Sequence, residues 1–246
     1  MSEGEATSDK PQLIASRAHF AVFLWIQIAM AIRGGSGLRR FIAVGDPETL
    51  HVRLVWFYVL IIVWEWVLLS YVWWGVRKRG LTLRALVGGR WASPWDVAKD
   101  VGIGLTFWFL WMFATIAFAK ITGLTQQAPD EVRAMTPATG LGLILWAAIS
   151  ISAGFCEEVI YRGYLQRQFF AMTGSVPVAI IGQGLLFGIV HSYQGMFGVA
   201  VISVMGILFG LLAAWRRSLR PGMIAHAWYD GVIGILMFLA NTFRGY

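Results

Sequence analysis

Long apolar runs separated by short polar segments dominate the chain. A helix that spans a bilayer needs about 20 predominantly apolar residues, within a range of about 17–25. Four runs meet this length, namely 54–76, 101–119, 196–215 and 222–240. The pattern therefore predicts a bundle of membrane-spanning helices.

The N-terminal part of the chain is less regular. Residues 1–17 are polar and lack a basic region followed by an apolar core, so we expect a loose tail and no cleavable signal. Residues 20–32 are apolar but fewer than a full span, which leaves a short span and an interfacial helix as alternatives. The glycines of 34–37 and the Gly-Asp-Pro sequence at 45–47 predict breaks in the chain before the second helix.

A long helix over 139–170 is predicted to carry two adjacent acids, Glu157 and Glu158, in its interior. The Thr-Gly-Ser sequence at 173–175 predicts its end. A proline two residues further on starts the next helix, which we expect to end near His191.

A helix start is predicted in the middle of the N-terminal half. Ser93 is expected to be the N-cap residue, Pro94 the first helical residue, and Asp96 the acid of a capping box.

Composition and charge indicate which class of protein this is. The chain is 58% hydrophobic and 13% charged, against about 45–50% and about 25% for an ordinary soluble domain, which excludes a soluble globular enzyme. The net charge of +7 comes from basic residues in short loops between apolar runs, as the positive-inside rule describes. The main basic positions are Arg77, Lys78, Arg79, Arg84, Arg90, Lys99, Arg216, Arg217 and Arg220. We therefore expect the lipid bilayer as a partner and no nucleic acid.

Ionisable residues inside the apolar segments are the candidates for chemistry. A charge in the hydrocarbon region costs about 2.5 kcal/mol or more, so each such residue needs a partner or a function. The candidates are Glu65, Glu157, Glu158, Arg162, His191, His226 and Asp230. Glu158 and Arg162 are four residues apart and are expected to neutralise each other. Glu157 is left without a local base, either as a packed carboxylate or as a general base for water.

The histidines support the second interpretation of Glu157. Glu157 and His191 each lie seventeen residues from the predicted turn at Gly174, so they should be level on antiparallel helices. His226 and Asp230 share a helix face, as a self-satisfied pair or as part of a site. Three uses of Glu65 stay open: lining a cavity, reaching toward the interface, or pairing with a distant arginine.

These residues form three ordered motifs on candidate membrane helices. The motifs are Glu157-Glu158-x-x-x-Arg162, Phe187-x-x-x-His191 and His226-x-x-x-Asp230. Together they resemble the CPBP intramembrane proteases, also called the CAAX-protease or Abi family. The resemblance divides the chain into a polar tail (1–17), variable membrane helices (18–138), a CPBP-like catalytic core (139–240) and a C-terminal tail (241–246). The fold it implies is all-α, a polytopic bundle of about seven to eight transmembrane helices.

The resemblance implies a role for each motif residue. Glu157 would be the general base, His191 would assist the attacking water, and His226 with Asp230 would face the scissile carbonyl oxygen. Supporting positions would be Glu158, Arg162 and Phe187. Asp230 stands where the family usually has asparagine, and an ionised aspartate cannot donate a hydrogen bond to an oxyanion. It is expected either to be protonated or to orient His226.

The geometry of the third motif raises a question. If the run 196–215 is a straight span, His226 should begin near the face opposite His191. Either this region is tilted, broken or partly re-entrant, or the motif residues do not form one site.

The function predicted is an intramembrane endopeptidase of the cell membrane, a multi-pass protein that hydrolyses a peptide bond of a membrane-associated protein or peptide substrate. The substrate could carry a prenyl group or a membrane tail. No cofactor is expected. One alternative is a zinc metalloprotease with Glu157, His191 and His226 as ligands. Others are a non-catalytic immunity or scaffold protein, or a proton-linked carrier that uses Glu65 and Asp230.

Overall fold

The computed structural model describes residues 12–43, 49–122 and 130–243, and every regular element in these ranges is a helix. The helices are α1 Arg17–Ala43, α2 Leu50–Arg77, α3 Leu83–Val87, α4 Pro94–Thr122, α5 Asp130–Ala134, α6 Gly140–Glu158, α7 Gln166–Thr173, α8 Val176–Val190, α9 Gly195–Arg216 and α10 Arg220–Phe243. A π-helical segment, Val159–Leu165, joins α6 to α7, and a 3₁₀ turn, Ser192–Gln194, joins α8 to α9.

The predicted all-α membrane bundle is confirmed. Six helices are long and apolar enough to cross a membrane, with α6, the π-helical segment and α7 counted as one. The shorter apolar helix α8 has only 15 residues. The predicted count of seven to eight is therefore approximate: the described residues contain six full-length candidates and one short apolar helix. The run 20–32 belongs to a full-length candidate span, α1.

The predicted capping box at the start of α4 is confirmed. The Ser93 hydroxyl accepts a hydrogen bond from the Asp96 backbone N–H at 3.2 Å, and the Asp96 carboxylate accepts one from the Ser93 backbone N–H at 3.1 Å. The predicted break after α7 is also confirmed. Gly174 adopts φ +69° there, a left-handed conformation that favours glycine.

The predicted break at 34–37 is wrong, because α1 continues through these glycines to Ala43. A Cβ atom at Gly35 would lie 3.7 Å from the Tyr193 backbone, an ordinary contact distance, and one at Gly34 or Gly37 would meet nothing within 4 Å. The Ser192 hydroxyl donates to the Ala31 carbonyl at 2.7 Å, which fixes the turn after α8 against α1. The predicted break at 45–47 lies outside the described residues, as does most of the tail 1–17.

Glycines bring the core helices into close contact. A Cβ atom at Gly184 on α8 would lie 2.8 Å from the Ile207 backbone nitrogen of α9. A Cβ atom at Gly154 on α6 would lie 2.8 Å from the Met223 carbonyl oxygen of α10. These small residues let α8 pack on α9 and α6 on α10 at backbone distance.

The basic loops gather at one end of the bundle. The Leu219 backbone N–H donates to the Val87 carbonyl at 2.9 Å, joining the turn before α10 to the end of α3. Asp100 on α4 is buried there and forms ion pairs with Arg216 and Arg220 at 3.2 Å each. Asp100 is not among the candidates named from the sequence, because it lies in the polar first turns of α4, just before the apolar run 101–119.

Candidate active site

The first motif lies where the helix changes its winding. Glu157 and Glu158 end α6, and all seven residues of the π-helical segment are buried. A π-helical turn inserts a residue into the α-helical repeat; such turns are rare and frequently occur at functional sites. It turns the side chains that follow relative to those of α6, so that Arg162 points into the core.

Glu158 and Arg162 form the predicted ion pair, which is fully buried. The Arg162 guanidinium donates to Glu158 Oε1 at 2.9 Å and to the Gly206 carbonyl at 3.2 Å. It also lies over the ring of Phe187, 4.5 Å from the ring centroid. A buried pair of this kind repays its desolvation only when further hydrogen bonds satisfy its charges. Here α9 supplies one of these bonds.

His226 stands at the centre of three carboxylates. Its Nδ1 is 3.1 Å from Glu158 Oε1, and its Nε2 is 3.6 Å from Glu157 Oε2 and 3.5 Å from Asp230 Oδ2. The His226 side chain is only 4% exposed, while those of Glu157 and Asp230 are 20% and 30% exposed. The ring therefore links the buried ion pair to the two more accessible acids.

Glu157 and His191 line one cavity of about 540 Å³. The prediction that the two residues are level across the hairpin stays a prediction. His191 Nδ1 is 2.8 Å from the Phe187 carbonyl oxygen, which can only accept, so Nδ1 carries the proton. In the neutral ring, Nε2 keeps a lone pair that can accept a hydrogen bond or a proton.

Because α8 is short, His191 and His226 do not lie at opposite ends of the bundle. The chain turns back at Ser192, level with Ala31 in the interior of α1. The chain enters α10 beside the first motif: Leu219 contacts Gly163, and Gly222 lies against the Glu158 carboxylate. His226 follows one turn later. The three motifs thus meet at one place.

The described structure adds residues from α1 and α2 to the cavity. Glu65 on α2 lines it, the first of the three uses left open by the sequence. Gln27 on α1 also lines it and was missed, because a neutral amide gives no charge signal. Its place in the apolar run 20–32 was the available clue.

The zinc alternative requires three protein ligands at one place. Among the described residues, no group of three or more His, Cys, Asp or Glu side chains is placed to hold a metal ion. Cys156, the only cysteine in the sequence, is buried beside Ser152, with 3.9 Å between Sγ and Oγ.

The comparisons with known proteins agree with the motifs. Residues 137–232 match the family described as type II CAAX prenyl endopeptidase Rce1-like. No curated protein and no solved structure shows a significant match to the chain. The matched segment contains all three motifs, so the resemblance to the CPBP, or CAAX-protease, family is confirmed. Residues 137–232 of the chain are therefore similar to the Rce1-like CAAX proteases.

Proposed function

We propose that the protein is an intramembrane glutamate-type endopeptidase in which Glu157 activates water. The observation that carries this proposal is the difference in burial and partners between two adjacent carboxylates. Glu158 is fully buried and paired with Arg162 and His226. Glu157 is partly exposed and lines the cavity that also contains His191.

The arrangement supports hydrolysis of a peptide bond in the following steps. Water held between Glu157 and His191 gives a proton to the Glu157 carboxylate as its oxygen bonds to the scissile carbonyl carbon. The tetrahedral oxyanion that forms faces His226, and a protonated ring would donate through Nε2 while Nδ1 donates to Glu158. The C–N bond then breaks, and Glu157 returns the proton to the leaving nitrogen.

The cavity suits a membrane-associated peptide. Besides Glu65, α2 contributes apolar side chains to the wall of the cavity, namely Phe57, Leu60, Ile61, Trp64 and Leu68. An apolar wall beside a polar reaction centre accepts a lipidated or membrane-anchored segment. We propose such a substrate, with a prenylated C-terminus as the first one to test, and the cell membrane as the location.

Cleavage of a prenylated peptide by the purified protein tests this mechanism. The probe is a peptide that ends in farnesyl-Cys-Val-Ile-Met. We expect the wild type to release the last three residues and Glu157→Gln to lose at least about 100-fold in kcat, since the amide cannot accept the water proton. Asp96→Asn, an acid-to-amide change at the start of α4, is the matched control and should cleave normally. Equal cleavage by wild type and Glu157→Gln would overturn the mechanism.

The same assay after chelation separates this mechanism from the zinc alternative. We propose that no metal takes part, so cleavage should persist after exhaustive treatment with a chelator and removal of the chelated ions. Loss of cleavage that returns on adding zinc would favour Glu157, His191 and His226 as metal ligands.

A further inference from the structure

Two buried side chains in the cavity have polar atoms without a hydrogen-bond partner. Gln27 is 1% exposed and Glu65 is 8% exposed. No hydrogen bond of good geometry reaches Gln27 Nε2 or Glu65 Oε2 from the described part of the chain, although the Tyr161 side chain lies near Gln27 and the Ser152 side chain lies near Glu65. Leaving such a group unpaired costs about 1–3 kcal/mol, so each needs an explanation.

The two atoms differ in chemistry and belong to side chains that line the same cavity. Gln27 Nε2 is a donor on α1, and Glu65 Oε2 is an acceptor on α2. Both side chains line the cavity that contains Glu157 and His191. The cavity wall therefore includes one donor and one acceptor in addition to Glu157 and His191.

A peptide unit offers the complementary pair. Its carbonyl oxygen accepts one hydrogen bond, and its N–H donates one. Gln27 can donate to the carbonyl, and Glu65 can accept from the N–H. A site built this way discriminates strongly against an analogue that lacks one of the groups, because a buried polar atom is then left unpaired.

We infer that Gln27 and Glu65 bind the main chain of the substrate next to the scissile bond. This inference rests on the proposed endopeptidase function and adds a substrate-binding role for α1 and α2, which lie outside the segment 137–232. The two helices hold the peptide by its backbone, so they position it without selecting its side chains. The apolar part of the cavity wall then contacts the apolar groups of the substrate.

Ester substitution in the substrate tests this role. Two analogues of the farnesylated peptide carry an ester in place of one amide, at the Val–Ile or the Ile–Met bond. We expect the wild type to prefer the all-amide peptide over one of these esters by about tenfold in kcat/KM, the size of one hydrogen bond. Glu65→Met should lower kcat/KM for the all-amide peptide about tenfold and remove the preference. Gln27→Met should lower kcat/KM to a similar extent.

Two further variants separate binding from packing. Glu65→Gln keeps an acceptor oxygen and should restore the amide preference. Met30→Leu changes an apolar residue of the same cavity wall and should leave the preference unchanged. An amide-to-ester ratio that is the same in wild type and Glu65→Met overturns the inference, even if both substrates are cleaved more slowly.

The proposed function and this inference fail in different ways. A wild-type protein that does not cleave the all-amide peptide contradicts the prenyl endopeptidase function. It also contradicts the substrate-binding role of Gln27 and Glu65, which depends on that function. If the wild type cleaves and Glu157→Gln does not, the function holds, and the ester ratio alone decides the role of Gln27 and Glu65.

Discussion

Two neighbouring glutamates, Glu157 and Glu158, have different surroundings. Glu158 meets Arg162 and His226 inside the core, whereas Glu157 faces the cavity. The i, i+4 spacing was enough to predict the Glu158–Arg162 pair from the sequence. The bond from Arg162 to Gly206 was not predictable, because it depends on where α9 crosses the first motif.

The role of Asp230 can be tested by substitution. Its carboxylate is 3.5 Å from His226 Nε2 in the position where the family usually has asparagine. If a hydrogen-bond donor to the oxyanion is all that is needed, Asp230→Asn should keep cleavage within a fewfold of wild type. Asp230→Leu should lose about 100- to 1,000-fold in kcat, the typical cost of one missing oxyanion donor.

The measurement is single-turnover cleavage of the farnesylated peptide by the three proteins. Loss of activity in Asp230→Asn would show that a donor is insufficient. Asp230 would then act as a carboxylate that orients His226.

At the scale of elements, close helix packing places the site. Gly206 accepts hydrogen bonds from both Arg162 and Gln183, at 3.2 and 2.8 Å, so α9 touches the π-helical segment and α8 at one residue. The sequence predicted most helices, because apolar runs and capping residues are local signals. It did not predict the π-helical segment or the continuity of α1 through 34–37, since both depend on contacts with other helices.

Gly188 tests the packing of α8 on α9. A Cβ atom there would lie 2.5 Å from the Val199 carbonyl and 2.8 Å from the Ser203 nitrogen, both backbone atoms that cannot move aside. We expect Gly188→Ala to destabilise the protein by about 1–3 kcal/mol through overpacking. Cleavage should also fall, because α8 carries His191 at its end.

Thermal unfolding of the detergent-solubilised protein measures this effect. Gly182→Ala is the matched control on the same helix, since its nearest neighbour is the Phe169 ring at 3.6 Å, an ordinary contact distance. Equal melting temperatures for the two variants would contradict close packing at Gly188.

At the scale of the whole molecule, charge and hydrogen bonding mark two ends. The backbone N–H groups of Ile14 and Ala15, just before α1, donate to Gln168, and Arg167 donates to the Ala85 carbonyl beside the basic loops. Asn241 near the end of α10 donates to Thr136. The N-terminal end of α1 therefore lies at the basic end of the bundle, and the C-terminal end of α10 lies at the opposite one.

This polarity predicts how the protein sits in the membrane. Loops rich in lysine and arginine stay on the cytoplasmic side, so the basic end should face the cytoplasm. Cys156 is the only cysteine in the sequence and is buried, which makes the wild type a background for single-cysteine labelling. Ala92 is exposed at the basic end, and Ala138 is exposed in the segment before α6, beside Thr136 at the opposite end.

Labelling of intact cells with a membrane-impermeant maleimide decides the orientation. Ala138→Cys should react in intact cells, whereas Ala92→Cys should react only after the membrane is opened. Neither substitution changes a charge, so the basic loops that set the orientation stay as they are. The reverse pattern would place the basic end outside and contradict the positive-inside assignment. With the expected pattern, the loop between α8 and α9, which carries His191, points away from the cytoplasmic end of the bundle.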